Sequence, residues 1–346
     1  MVKRHALLKY FVLMSLLSLL VIPALAQDAT EEAAPDVAWP SQYYAPYIYV
    51  ARYPVLRLST VAESTGVRYF SLAFILTSHE ACKAAWFGTS NLDYFGLVDD
   101  LEQLRAMGGD VIVSFGGASG DELAEHCSDA ESLAEQYQTV IDTLGITHLD
   151  FDIEGGREDN MEAVNRRAEA IKLLQDRAAE AGKPLNISFT LSVHTTGLTE
   201  RALNMLQSTI DAGVDIDVVN IMTMNFEDTA PPDKMGENTI QAAQSLFEQL
   251  KILYPDMPDE ELWNKIGVTP MIGVNDRATQ IFTQEDAQQV VDFVQEKGLR
   301  WIGMWSLDRD AQCDFALNVA ENDCSSTEQE TFDYSMIFNQ ITAPAE

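Results

Sequence analysis

The sequence predicts an α/β fold: one barrel of eight parallel strands wrapped by helices. Three observations lead there. Short apolar runs recur eight times between residues 46 and 306, and amphipathic stretches fill the gaps between them. No G-x-G-x-x-G turn follows the first run and no phosphate-loop motif occurs, which leaves an open nucleotide-binding sheet without support. Eight strand-helix units in about 270 residues is the scale at which a single (β/α)8 TIM barrel closes as one domain.

The strands are expected at 46–50 (PYIYV), 69–76 (YFSLAFIL), 110–115 (DVIVSF), 148–154 (HLDFDIE), 186–193 (NISFTLSV), 216–223 (IDVVNIMT), 266–271 (IGVTPM) and 300–306 (RWIGMWS). Helical periodicity marks 121–144, 159–181, 199–212, 237–253 and 284–298. Thr199-Glu200 reads as a helix start, Gly182 as a stop, and Thr283 before Gln284-Glu285-Asp286 as an N-cap with an acidic first turn. A short closing helix is expected near 334–341.

The first 26 residues read as an address. Lys3, Arg4 and Lys9 precede the apolar run YFVLMSLLSLLVI, and Ala24 and Ala26 form an A-x-A site before Gln27. The run is short for a membrane span, so a cleaved secretory signal is expected, with a secreted or extracytoplasmic product that keeps no stable membrane association. Residues 27–44 read as a flexible acidic leader and 45–346 as the barrel. Four cysteines remain in an export-compatible, even number. Cys313 and Cys324 are near in sequence and are the favoured pair, leaving Cys82 for Cys127. No C-x-x-C occurs, and no metal or other cofactor is expected.

The chain carries a formal charge of −32, which becomes −35 for residues 27–346 once the signal is removed. Such a surface repels phosphate backbones, so nucleic acid is not an expected partner. It either keeps the protein hydrated at high salt or has no special role. A monomer is expected.

The chemistry is concentrated in HLDFDIEG at 148–155. Side chains alternate along a strand, so Asp150, Asp152 and Glu154 share one face and Leu149, Phe151 and Ile153 the other. The apolar set suits the helix layer, which turns the acids into the barrel. Carboxyls so close cannot all ionise, so some hold protons above their ordinary range. Glu154 is last, nearest the C-terminal mouth where barrel chemistry sits, and is the candidate proton donor.

This run resembles the D-x-D-x-E signature of family 18 glycoside hydrolases, the chitinases and their relatives. SFGG at 114–117 resembles that family's S-x-G-G motif, and WIGMWSLD at 301–308 its last strand, with a Trp beneath the bound sugar. The stretches YFSLAFIL, THLDFDIEGG, TLSVHTTGLT, VVNIMTMNF, TPMIGVND and GMWSLDRD resemble the bacterial chitinase-D-like branch, and the likeness runs from about residue 45 to 341. The resemblance implies hydrolysis of β-1,4-linked N-acetylglucosamine chains, chitin or chito-oligosaccharides, by a retaining, substrate-assisted mechanism. Glu154 matches the general acid/base. Asp152 matches the residue that orients the 2-acetamido group, whose oxygen attacks the anomeric carbon. Asp150 matches the inner acid that shares a proton with Asp152.

Two departures stand out. Thr147 replaces an Asp of the longer family pattern, at a position remote from the sugar. MTMN at 222–225 falls where many relatives have M-x-Y-D, so Met224 stands for the Tyr and Asn225 for the Asp. Asn225 can donate an amide hydrogen to the sugar but carries no charge.

Further candidates are weaker. Trp305 is expected as the apolar floor under one sugar, and Trp301, deeper on the same face, as core. Trp86 reads as a sugar platform or lid residue. His194 reads as a partner of a sugar hydroxyl or as a loop stabiliser. Ser114, Gly116 and Gly117 would let the backbone pass close to the floor. Met222 and Met224 would contact the acetamido methyl or simply fill space. Asn275 and Asp276 would bind a sugar hydroxyl or cap a turn. An endo-β-N-acetylglucosaminidase acting on N-glycans, and an inactive chitin-binding lectin, are the alternative functions.

Overall fold

A computed structural model describes residues 37–52, 55–79, 82–315 and 318–342. The expected signal, residues 1–26, lies outside them. All eight apolar runs become strands. They are β1 (Tyr43–Tyr44 and Tyr47–Tyr49), β2 (Tyr69–Thr77), β3 (Asp110–Gly116), β4 (His148–Ile153), β5 (Asn186–Ser192), β6 (Val218–Met222), β7 (Ile266–Thr269) and β8 (Trp301–Ile302). Each is parallel to the next, and β1 closes the ring by pairing with β8 through its first half and β2 through its second. Its two halves meet at Ala45-Pro46. Pro46 has no N–H to give, but its carbonyl accepts from Ser71 N–H at 2.8 Å, while Ala45 and Tyr47 donate to Ile302 and Met304 at 2.9 and 3.0 Å.

The helices follow the start and stop signals. α4 (Ala130–Leu144) begins at Asp129, whose side chain accepts from Ser132 N–H in a capping box. This cap splits the expected 121–144 helix, leaving α3 (Leu123–His126) as a separate turn. α5 (Met161–Glu180) ends before Gly182, which has φ +67°. α6 (Glu200–Asp211) is capped by Thr199 and α9 (Gln284–Lys297) by Thr283. α7 spans Met235–Leu253 and α10 Asp333–Phe338. α1 (Leu58–Thr65), α2 (Leu97–Ala106) and the short α8 (Asp259–Asn264) complete the set among the described residues.

The alternation on β4 holds. Leu149, Phe151 and Ile153 are buried in the helix-side core, where Phe151 stacks on Phe115 and meets the edge of Tyr137 from α4. The barrel's lower end is filled by rings. Trp39 stacks on His148 at 4.0 Å and packs against Tyr43 and Tyr69, and Trp301 donates to the Ala45 carbonyl at 3.1 Å. The end of the leader expected over 27–44 is corrected here, residues 27–36 lying outside the described ones: Tyr43 and Tyr44 belong to the sheet, Tyr43 and Trp39 burying their rings with the barrel interior and Tyr44 on the helix side against Phe338. Both cysteine pairs, Cys82–Cys127 and Cys313–Cys324, are bonded as expected. No helix among the described residues is long and apolar enough to cross a membrane.

Candidate active site

The acids of β4 rise from the interior to the mouth, and their surroundings change at each step. Asp150 is fully buried and saturated. Its Oδ2 accepts from Ser114 Oγ at 2.6 Å and Tyr47 OH at 2.9 Å, and its Oδ1 from Ser188 Oγ and Thr190 Oγ1, both at 2.8 Å. Burial raises its proton affinity, and these hydroxyls work against that rise. Asn220 extends the network, donating to Thr190 Oγ1 at 3.0 Å and Thr269 Oγ1 at 2.8 Å.

Asp152 is treated differently. It is also buried, yet its Oδ1 has no hydrogen-bond partner in the protein. Burial, then the charges of Glu154 and Asp150, push its proton affinity well up, and a hydrogen bond with the Glu154 carboxyl adds to the rise. Glu154 is only partly covered. Burial raises its proton affinity too, Asp276 adds to the rise, and Arg157 and the bond from Asp152 oppose it. The pair therefore retains a shared proton above the ordinary carboxylate range.

Both carboxyls open into a cavity of about 460 Å³ at the C-terminal mouth of the barrel. Such a volume suits a small ligand. Trp305 lines one side, its ring parallel to Phe74 at 5.8 Å, with Tyr47 behind it at 6.1 Å. Met222, Met224 and Asn225 line it as well. An apolar floor beside a proton-holding carboxyl pair can seat the C–H face of a sugar and protonate an exocyclic oxygen.

The remaining candidates divide. Asn225 sits at φ +49° with its amide committed: Nδ2 donates to Asp276 Oδ2 at 2.8 Å and Oδ1 accepts from Arg277 N–H at 3.1 Å. Asn275 is buried and accepts from Asn225 N–H at 3.2 Å, so it joins the two loops, while Asp276 faces the cavity. Gly116 and Gly117 are backbone passages. A Cβ on Gly116 would lie 2.2 Å from the Asp152 carbonyl, and one on Gly117 would lie 2.8 Å from the Phe74 ring. Ser114 holds Asp150 from below and does not line the cavity.

One candidate, Trp86, is corrected, and His194 takes the second of its two readings, the loop stabiliser. Trp86 is wholly buried and donates Nε1–H to the Leu92 carbonyl at 2.9 Å, because its strand, Ala84–Trp86, pairs with β2 and turns the ring into the core. It is neither platform nor lid. The neighbouring Phe87 lines the cavity in its place. His194 lies outside the cavity, with Nδ1 3.1 Å from Glu227 Oε2, an arrangement that ties the loops after β5 and β6.

Sequence reasoning missed Tyr47, Ser188 and Thr190, which hold Asp150, Asn220, which bonds Thr190 behind them, and Tyr49, Phe74, Phe87 and Arg157 around the mouth. Part of the signal was present. Ser188 and Thr190 alternate with Phe189 and Leu191 on β5, the pattern of a polar inward face beside the acids. The ring contacts of Tyr49 and Phe87 leave no such periodic trace.

Known proteins are similar to this chain in sequence and fold. No family model matches the chain. The catalytic domain of a hyperthermophilic chitinase from Pyrococcus furiosus is 37% identical, covering 88% of this chain and 96% of that domain with a TM-score of 0.80. A probable bifunctional chitinase/lysozyme of Escherichia coli is 32% identical over 89% of this chain and 35% of its own length. Endochitinase 11 of Metarhizium anisopliae is 34% identical over 80% of this chain and 54% of its own length. The chain thus spans about a third and about half of these two curated relatives.

Proposed function

The chain belongs to the family 18 glycoside hydrolases, the chitinase family, and from that premise we propose that it is a secreted hydrolase of β-1,4-linked N-acetylglucosamine chains. Glu154 donates a proton to the leaving oxygen. The substrate's own acetamido oxygen attacks the anomeric carbon, held by Asp152. The Glu154 carboxylate then accepts a proton from the water that opens the cyclic intermediate, returning the original anomeric configuration.

One observation carries this reading. Asp152 and Glu154 line one cavity beside the Trp305 floor, and their carboxyls are joined by a hydrogen bond. An acetamido N–H seated in that cavity can donate to the Asp152 carboxylate, which stabilises the cationic intermediate. Asp150 supports the step from below by keeping its four hydroxyl donors fixed. Met224 offers no hydroxyl to the acetamido oxygen, so orientation falls more heavily on Asp152 and the Trp305 floor. The two disulfides support an oxidising, extracytoplasmic setting.

The test is product analysis. The protein is incubated with N-acetylglucosamine hexamer, and with an N-linked glycoprotein in parallel, and the products are read by mass spectrometry. Shortened oligomers from the wild type but not from Glu154→Gln are expected. Released N-glycans with intact oligomers would replace this substrate with the glycoprotein.

A further inference from the structure

We propose that Arg157 is the positioning residue of this site: its guanidinium fastens the glycine-rich wall of the cavity to the backbone of Glu154 and holds a positive charge near the acid without pairing with it. The inference rests on the assignment of Glu154 made above.

A turn places it there. Glu154-Gly155-Gly156-Arg157 is closed by Arg157 N–H donating to the Glu154 carbonyl at 3.2 Å. Both central residues have positive φ, +66° and +84°, a mirror-image turn that glycine adopts freely. The chain doubles back, and the Arg157 side chain reaches across to the loop after β3. Nη1 donates to the Gly117 carbonyl at 3.2 Å and the Glu154 carbonyl at 3.4 Å, and Nη2 donates to the Gly120 carbonyl. Ala118, Ser119 and Gly120 form a wall of the cavity, and Gly117 N–H donates to the Asp152 carbonyl at 2.9 Å. One planar fork thus joins the wall to Glu154, and Gly117 N–H joins the same wall to Asp152. A lysine ammonium has neither the reach nor the geometry to hold these carbonyls together.

The charge matters as well. The ionisable groups around Glu154 are Asp152 and Asp150 on β4, Tyr47 on β1, Asp276 after β7 and Arg157 itself. Beyond Arg157 stands Glu125 of α3, whose Oε2 lies 3.5 Å from Nε and whose Oε1 accepts from Asn160 Nδ2 at 3.2 Å. Arg309 stands beyond Asp276 and acts on that acid, so Arg157 is the cation set against Glu154 itself. Burial raises the proton affinity of Glu154 most strongly, and Arg157 lowers it. A retaining cycle needs Glu154 to give up its proton and then take one back. An acid that held its proton too tightly would fail the first half, and one that held it too loosely would have none to give.

Carboxyl ¹³C NMR titration tests this without needing turnover. The Glu154 signal is identified by its loss in Glu154→Gln and followed in wild type, Arg157→Gln and Arg157→Lys. The midpoint is expected to rise in Arg157→Gln and to stay near wild type in Arg157→Lys. Amide hydrogen exchange over residues 117–120 is expected to quicken in both variants, because the fork is gone from each. An unmoved midpoint in a folded Arg157→Gln protein overturns the electrostatic role. Should that variant fail to fold, unchanged exchange in Arg157→Lys overturns the clamp. If the wild type leaves chito-oligosaccharides intact, the hydrolase reading fails on its own, and the titration still decides the role of Arg157.

Discussion

The two ends of β4 contrast sharply, although one face of one strand serves both. His148 at the lower end lies under the ring of Trp39, and burial lowers its proton affinity from the ordinary 6.5 to about 3. Asp150, one step up, has every acceptor site occupied by hydroxyls. Asp152 has a bare oxygen and Glu154 opens to the cavity. The lower groups are fixed in one protonation state by packing and hydrogen bonds, while the upper pair shares a proton that can move. The difference separates a structural end from a chemical end on a single strand.

The comparison can be broken by substitution. The largest effect belongs to the top: Glu154→Gln is expected to abolish oligomer hydrolysis while leaving oligomer binding measurable by calorimetry. Asp152→Asn comes next, with turnover reduced by about 10²–10³, the usual worth of one electrostatic stabiliser. A steady-state rate within twofold of wild type would remove Asp152 from the mechanism. At the bottom, Trp39→Ala is expected to cost about 3 kcal/mol of stability, read by urea unfolding, with kcat unchanged. A loss of kcat at full stability would mean that the two ends are coupled.

Two pH effects sharpen the contrast. Asp276 raises the proton affinity of Glu154, so Asp276→Asn is expected to move the alkaline limb of kcat/KM to lower pH. His148 acts in the opposite sense and on stability. Its proton affinity is lower folded than unfolded, so it contributes above about 6.5, and that contribution is lost as pH falls from 6.5 toward 3. Unfolding free energies measured across that window should fall less steeply in His148→Gln.

How much of this was legible in the sequence follows from what each feature depends on. The barrel was legible because its strands are short apolar runs in a fixed alternation, and period two turned Asp150, Asp152 and Glu154 inward together. Trp86 misled because position after a strand does not say which way a ring turns. The antiparallel pairing of Ala84–Trp86 with β2, a long-range fact, decided it. His194 likewise found Glu227 across a loop from β6. Asn225 was legible as a departure, but its bond to Asp276 needed the loops after β6 and β7 side by side. Arg157 was hidden for a similar reason: the Gly155-Gly156 pair announces a turn, not which carbonyls a guanidinium will meet.

The most direct test of the account follows the anomeric signals of N-acetylglucosamine hexamer by ¹H NMR as hydrolysis begins, in wild type and in Glu154→Gln. The account predicts that the first product is the β-anomer, with mutarotation to α lagging behind, and that Glu154→Gln yields none. An initial α-anomer would contradict acetamido participation held by Asp152, and near-wild-type product from Glu154→Gln would contradict the assignment of the acid.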